Sequence, residues 1–235
     1  MQVFFSEVSA TISRMSKLNM KPLVVIVAAV VAAGAIAIYL SRQNSAAEGT
    51  GNTGVAGASY QSGGGRVRGN PNAAVTITEY GDFQCPTCGR YHPILDELLR
   101  RYGGNLKLEY HHFPLISIHP NAMGASLAAE AAADQGKFWE MHDMLFDHQA
   151  EWSPSPNAEA IFLQYALQLG MDSNQFMQSV RSPATRDRVL ADVTLGNPIV
   201  KGTPTFLING QLIPDLPGLE GLAEKIDAQL AAAGK

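Results

Sequence analysis

Hydrophobic positions change their spacing along this chain, and each spacing predicts a different kind of element. From Pro22 to Leu40 they run without a charge, about the length of a helix that crosses a bilayer. From Ser41 to Gly69 they nearly vanish among Gly, Ser, Ala and Asn, which predicts a flexible tether with a typical reach of roughly 30 Å. Strand-like and helix-like blocks follow. Ala74 to Tyr80, rich in β-branched residues and bounded by Pro71 and Gly81, reads as a short strand buried on both faces. Arg90 to Tyr102 has helical spacing and stops at Gly103-Gly104, with a kink predicted at Pro93. Leu106 to Phe113 alternates as a second strand and ends at Pro114.

Helical patterns then fill Asn121 to Ala133, Lys137 to Phe146 and Ala158 to Leu169. Asp172 followed by Gln175 reads as a helix-start cap, and Ser182-Pro183 opens a further helix through Leu195. Strand character returns at Thr205 to Ile208, with Asn209-Gly210 as the hairpin turn into Gln211 to Ile213, and a helix from Leu219 to Ala233 closes the pattern. A strand–helix–strand unit, a helical block, a hairpin and a helix make an α/β domain with an insertion.

Charge refines the picture at the N-terminal end. Arg14, Lys17 and Lys21 precede the apolar run and Arg42 alone follows closely, so the bias places the first residues inside and the rest outside. The run reads as a signal anchor; a long cleaved signal is the alternative, with Asn44-Ser45-Ala46-Ala47 offering small residues to a peptidase. The expected organisation is an N-terminal segment 1–21, a transmembrane helix 22–40, a linker 41–69 and a globular domain 70–233 with a helical insertion at about 116–196. The net charge of −4 is mild, and no basic stripe with interleaved aromatics suggests nucleic acid.

The candidate chemistry is Cys85-Pro86-Thr87-Cys88, which contains the only two cysteines of the chain. The motif falls between the first strand and the first helix, where unpaired N–H groups and the helix dipole favour a thiolate at Cys85. Pro86 suits the first helical turn, where its missing N–H costs nothing. Cys88, one turn further in, would lie beneath Cys85 as a less exposed resolving thiol. A structural zinc site would need two more ligands from the six histidines, and adjacent His111-His112 on a strand would point to opposite faces. The expectation is therefore redox chemistry with no metal and no separate cofactor, the disulfide of the Cys85–Cys88 pair being the redox group.

Four segments together resemble the DsbA-like thiol–disulfide oxidoreductases: Asp82 to Cys88, His112 to Leu115, Gln135 to His142, and Gly202 to Gly210. The resemblance covers roughly residues 68 to 233 and implies a thioredoxin fold with an inserted all-helical subdomain. It implies Cys85 as nucleophile and Cys88 as resolving cysteine. It also implies Glu79 as a buried acid behind Cys88 that moves its proton, and Pro204 as a cis proline beside the disulfide. Thr203 would offer its backbone to substrate, and Pro86 and Thr87 would tune the pair. Thr87 departs from the histidine found at this position in the best-known DsbA proteins; it brings no positive charge to Cys85, which implies a less depressed pKa and a weaker oxidant.

The activity so implied is that of an exported dithiol oxidase. Its clients would be cysteine-containing exported proteins in the periplasm or another extracytoplasmic space. Its reoxidant would be a membrane partner resembling DsbB or vitamin K epoxide reductase. The same fold run in reverse, as an exported reductase in cytochrome maturation, remains an alternative, as does a non-catalytic holdase or metal carrier. Isomerase activity is disfavoured, since no second globular region is present to build a dimeric cleft.

Overall fold

The computed structural model describes residues 66–234. The expected N-terminal segment 1–21, the span 22–40 and the linker as far as residue 65 lie outside the described residues. Among the described residues, no helix is long and apolar enough to cross a membrane.

Five strands form one mixed sheet: β1 (Arg66–Gly69), β2 (Val75–Gly81), β3 (Leu106–His112), β4 (Thr205–Ile208) and β5 (Gln211–Leu212), in the order β1-β3-β2-β4-β5. β2 and β3 run parallel, and the other pairings are antiparallel. The parallel pair requires a crossover. Helix α1 (Pro86–Tyr102) supplies it, followed by a 3₁₀ turn at Gly103–Asn105. Asn209 and Gly210 both have positive φ, 47° and 77°, as a tight two-residue hairpin turn requires.

Side chains alternate across β2, so Val75, Ile77 and Glu79 share one face. On that face Val75 and Ile77 pack with Leu106, Leu108, Phe206 and Ile208, beneath Leu95 and Leu98 of α1 and Leu222 and Ile226 of α8 (Leu219–Ala232). The opposite face carries Tyr80, stacked on His111 at 4.9 Å. Asp192 of α7 (Pro183–Gly196) reaches that face and accepts from the His111 ring at 2.8 Å.

Between β3 and β4 lie α2 (Ala122–Ala133), α3 (Phe138–Asp147), the single turn α4 (Gln149–Trp152), α5 (Ala158–Gln168), α6 (Ser173–Val180) and then α7. Their own core gathers Met141, Leu145, Trp152, Phe162 and Phe176 around a wall of α2 alanines. Asp172 caps α6 by accepting from the Gln175 N–H at 2.7 Å.

Two sequence expectations change. Residues 66–69, assigned to the linker, form edge strand β1, whose Arg66 pairs with Glu130 of α2 and whose Arg68 pairs with Asp96 of α1 and Asp143 of α3. The alternating Arg-Val-Arg-Gly gives no apolar face to detect, because its ordering comes from long-range ion pairs and backbone pairing to β3. As the sequence predicts, Pro86 opens the first helix, and Pro93 lies inside that same helix. The turn α4 was not foreseen.

Candidate functional site

Cys85 is the last extended residue before α1, with φ −70° and ψ 119°, and Pro86 occupies the first helical turn. No side chain caps this helix start, so its free N–H groups face the Cys85 sulfur. Cys85 is 7% exposed and Cys88 fully buried, and the two are free thiols. The Cys85 Sγ lies 3.3 Å from the Thr203 carbonyl oxygen across the site, and the Thr203–Pro204 peptide bond is cis. The Asp82 N–H donates to Cys88 Sγ at 3.5 Å.

The electrostatics separate the two sulfurs. Cys85 is lowered to about 5, chiefly because the Cys88 thiol donates to its thiolate. Burial opposes this, while the backbone N–H groups of Cys88 and Thr87 add to it. That value lies between the roughly 3.5 of DsbA and roughly 7 of thioredoxin. Cys88 is pushed well above the usual thiol range by burial first, then by its hydrogen bond to Cys85 and the nearby charge of Glu79. Thr87 is not bare: its hydroxyl accepts from the Arg90 guanidinium at 3.1 Å.

Glu79 is 2% exposed, on the sheet face that α1 covers, and sits opposite Tyr110 on one side and Phe206 on the other. Burial, reinforced by the Cys85 charge, raises it to about 8. Its protonated state therefore prevails at neutral pH, alongside a Cys85 thiolate and a Cys88 thiol. Tyr110 lies in the same electrostatic neighbourhood, its phenol pushed up by burial and then by Glu79 and Cys88.

Several polar residues that hold this geometry carried no assigned role in the sequence. Gln149 of α4 donates to the carbonyls of Phe83 and Cys85, at 2.6 and 3.0 Å. A Cβ on Gly89 would come within 2.9 Å of the Gln149 amide oxygen, so the small residue lets this brace approach. Asp82 accepts from the Gln84 and Leu115 N–H groups and from His119, at 2.7, 2.9 and 2.6 Å. Gln84 accepts from the Asn121 N–H at 2.7 Å and donates to the Ser153 carbonyl at 2.8 Å. The loop before Cys85 is thus fastened to the helical block. The only signal of this in the sequence was the polar Asp-x-Gln just before the first cysteine, which pattern alone cannot pair with distant partners.

Two hollows share Leu216 in their linings. One, about 310 Å³, runs along Lys201 to Thr205 and includes Thr203 and Pro204. The other, about 660 Å³, lies over Thr87, Arg90, Tyr91 and Ile94. A separate hollow of about 500 Å³ lies within the helical block, lined by Asn121, Phe162 and Phe176 among others.

Comparison with known proteins agrees with this geometry. A thioredoxin-like oxidoreductase from Silicibacter pomeroyi DSS-3 superposes with a TM-score of 0.60 at 27% identity, covering 70% of this chain and 91% of that one. α-DsbA1 from Wolbachia pipientis shares the fold, with a TM-score of 0.64 at 18% identity over 72% of this chain and 92% of its own. A Na(+)/H(+) antiporter NhaA 1 from Salinispora arenicola is 40% identical over 166 residues, which are 70% of this chain. The chain spans about 24% of that relative's length. What these two solved structures share with the chain is the thioredoxin-like α/β fold described above. Residues 61–228 match the family model described as thioredoxin, and the chain belongs to that family.

Proposed function

We propose that the domain is a thiol:disulfide oxidoreductase acting as a dithiol oxidase on extracytoplasmic proteins. The observation that carries this reading is the separation of the two sulfurs: Cys85 lowered to about 5 and reachable, Cys88 buried and raised. A stabilised Cys85 thiolate favours the reduced state of the pair, and a pair that prefers to be reduced passes its disulfide on.

A substrate thiolate attacks the Cys85 sulfur of the Cys85–Cys88 disulfide, forming a mixed disulfide and expelling Cys88, which takes the proton held by Glu79. The substrate's second thiolate then attacks its own sulfur in the mixed disulfide and releases Cys85 as a thiolate. The substrate dithiol is oxidised by two electrons and the Cys85–Cys88 pair is reduced by the same two. An extended substrate segment runs along Thr203-Pro204 and the hollow beside it, held largely by backbone contacts, which gives broad client range. Pro86 and Thr87 tune the pair by shaping the helix start around Cys85.

Reoxidation falls to a membrane quinone reductase resembling DsbB or the vitamin K epoxide reductase family, which carries the electrons to a quinone. A membrane location is supported by the apolar run at 22–40 and by the relationship to a segment of proteins named as antiporters. The test is the reduction potential of the full chain, equilibrated in a glutathione series and read by thiol trapping. A value above about −180 mV supports the oxidase; one below about −240 mV rejects it in favour of the reductase.

A further inference from the structure

Away from the cysteines, α1 and α3 bring two histidines and three aspartates together where neither helix alone would place them. His92 of α1 has a side chain only 9% exposed, and its Nε2 points at three carboxylates without a hydrogen bond to any. Asp147 Oδ1 lies at 3.6 Å, Asp96 Oδ2 at 3.9 Å and Asp143 Oδ1 at 4.0 Å. The ring is held in place by stacking on Phe146, with centroids 5.3 Å apart, and its edge meets His142 at 5.4 Å. His142 Nδ1 in turn lies 2.9 Å from Asp143 Oδ1.

The separations of 3.6–4.0 Å around His92 Nε2 are too long for hydrogen bonds and suit a shared cation. Zinc–nitrogen and zinc–oxygen bonds of about 2.0–2.2 Å at tetrahedral angles set neighbouring ligand atoms about 3.4 Å apart. One ligand atom from each of His92, His142 and Asp143 already falls within 4.8 Å of the others. Arg68 arranges the acids for this. It donates to Asp96 Oδ1 at 2.9 Å and to Asp143 Oδ2 at 2.5 Å, which leaves the other oxygen of each carboxylate turned toward His92. Orientation of a ligating carboxylate by an outer hydrogen bond is the usual support of a metal site. Three aspartates and one arginine leave a formal charge of −2 around the histidines, which a divalent ion neutralises.

We propose that His92, His142 and Asp143, with Asp147, the nearest carboxylate to His92, completing the set, bind a divalent transition ion of the zinc class and so clamp the cysteine-bearing helix to the helical block. Imidazole with carboxylate is a donor set for zinc and its neighbours rather than for calcium. The test titrates Zn²⁺ into the full chain with Cys85 and Cys88 oxidised, so that no thiolate competes, and follows stoichiometry by calorimetry and the unfolding temperature in parallel. One ion per chain is expected, with a rise in unfolding temperature, and His92→Gln and Asp143→Asn should each weaken binding about tenfold or more. The exposed Asp147→Asn serves as the variant least able to disturb folding, and its binding should also weaken. Failure of the oxidised wild type to bind stoichiometrically at micromolar zinc would overturn the proposal. Undiminished binding in all three variants would overturn it equally, by placing the ion elsewhere.

Discussion

A single buried carboxyl shows how much of this site depends on environment rather than residue type. Glu79 sits in a strand whose other inward residues are Val75 and Ile77, and burial raises it to about 8 from an ordinary 4.5. An acid whose folded pKa lies above its unfolded one contributes stability that is complete below about pH 4.5. That stability is lost as pH rises toward 8, because the unfolded chain ionises first. Glu79→Gln has no such titration. In urea unfolding of the reduced protein, the variant should gain on the wild type across that window, by a few kcal/mol at its upper end. A difference that stays flat with pH would mean that the carboxyl is hydrated or paired. The position of Glu79, six residues before Cys85, is legible in the sequence, but its burial is not, since an alternating strand pattern says which residues share a face and not what covers it.

At the scale of elements, the helices and strands follow their local signals closely, and the surprises come where an element is ordered from outside. Asp172 and Gln175 mark the start of α6, and Asn209-Gly210 marks the hairpin, through bonds and backbone angles that involve only neighbouring residues. β1 has no such signal and is fixed by Glu130, Asp96 and Asp143, between 28 and 75 residues away. Close approach of α7 to the sheet is another tertiary fact. A Cβ on Gly196 would come within 2.8 Å of the Phe113 ring and 2.9 Å of the Tyr80 ring. Gly196→Ala should therefore destabilise the domain by about 1–3 kcal/mol in denaturant titration. Gly124→Ala in α2 is the control: its Cβ would meet Phe162 at an ordinary 3.6 Å, and better helix propensity should make it neutral or stabilising by up to about 1 kcal/mol.

For the whole molecule, the two redox states should differ in stability, and the difference should follow pH. Cys85 is lowered from 9.0 to about 5 in the folded reduced protein, so its contribution is fully present above about pH 9 and lost as pH falls through about 5. Cys88, pushed upward, stays protonated in both folded and unfolded chains near neutrality and adds nothing there. Near pH 7 the reduced form should be the more stable, by about 2 kcal/mol allowing for solvent screening, and the gap should close toward pH 5. Urea midpoints of the two forms measure this directly; an oxidised form that is the more stable at neutral pH would contradict the oxidase reading. By itself, the sequence determined the order and type of most elements, the presence of a helical block between strands, and the cysteine pair at a helix start. Each of these follows from period, capping and spacing over a few residues, where the chain's own geometry sets the answer. Only the tertiary structure decided that Gln149 braces the loop, that β1 joins the sheet, and that His92 meets His142 and Asp143. Those contacts depend on how packed layers bring distant segments together, and no local pattern records the partner.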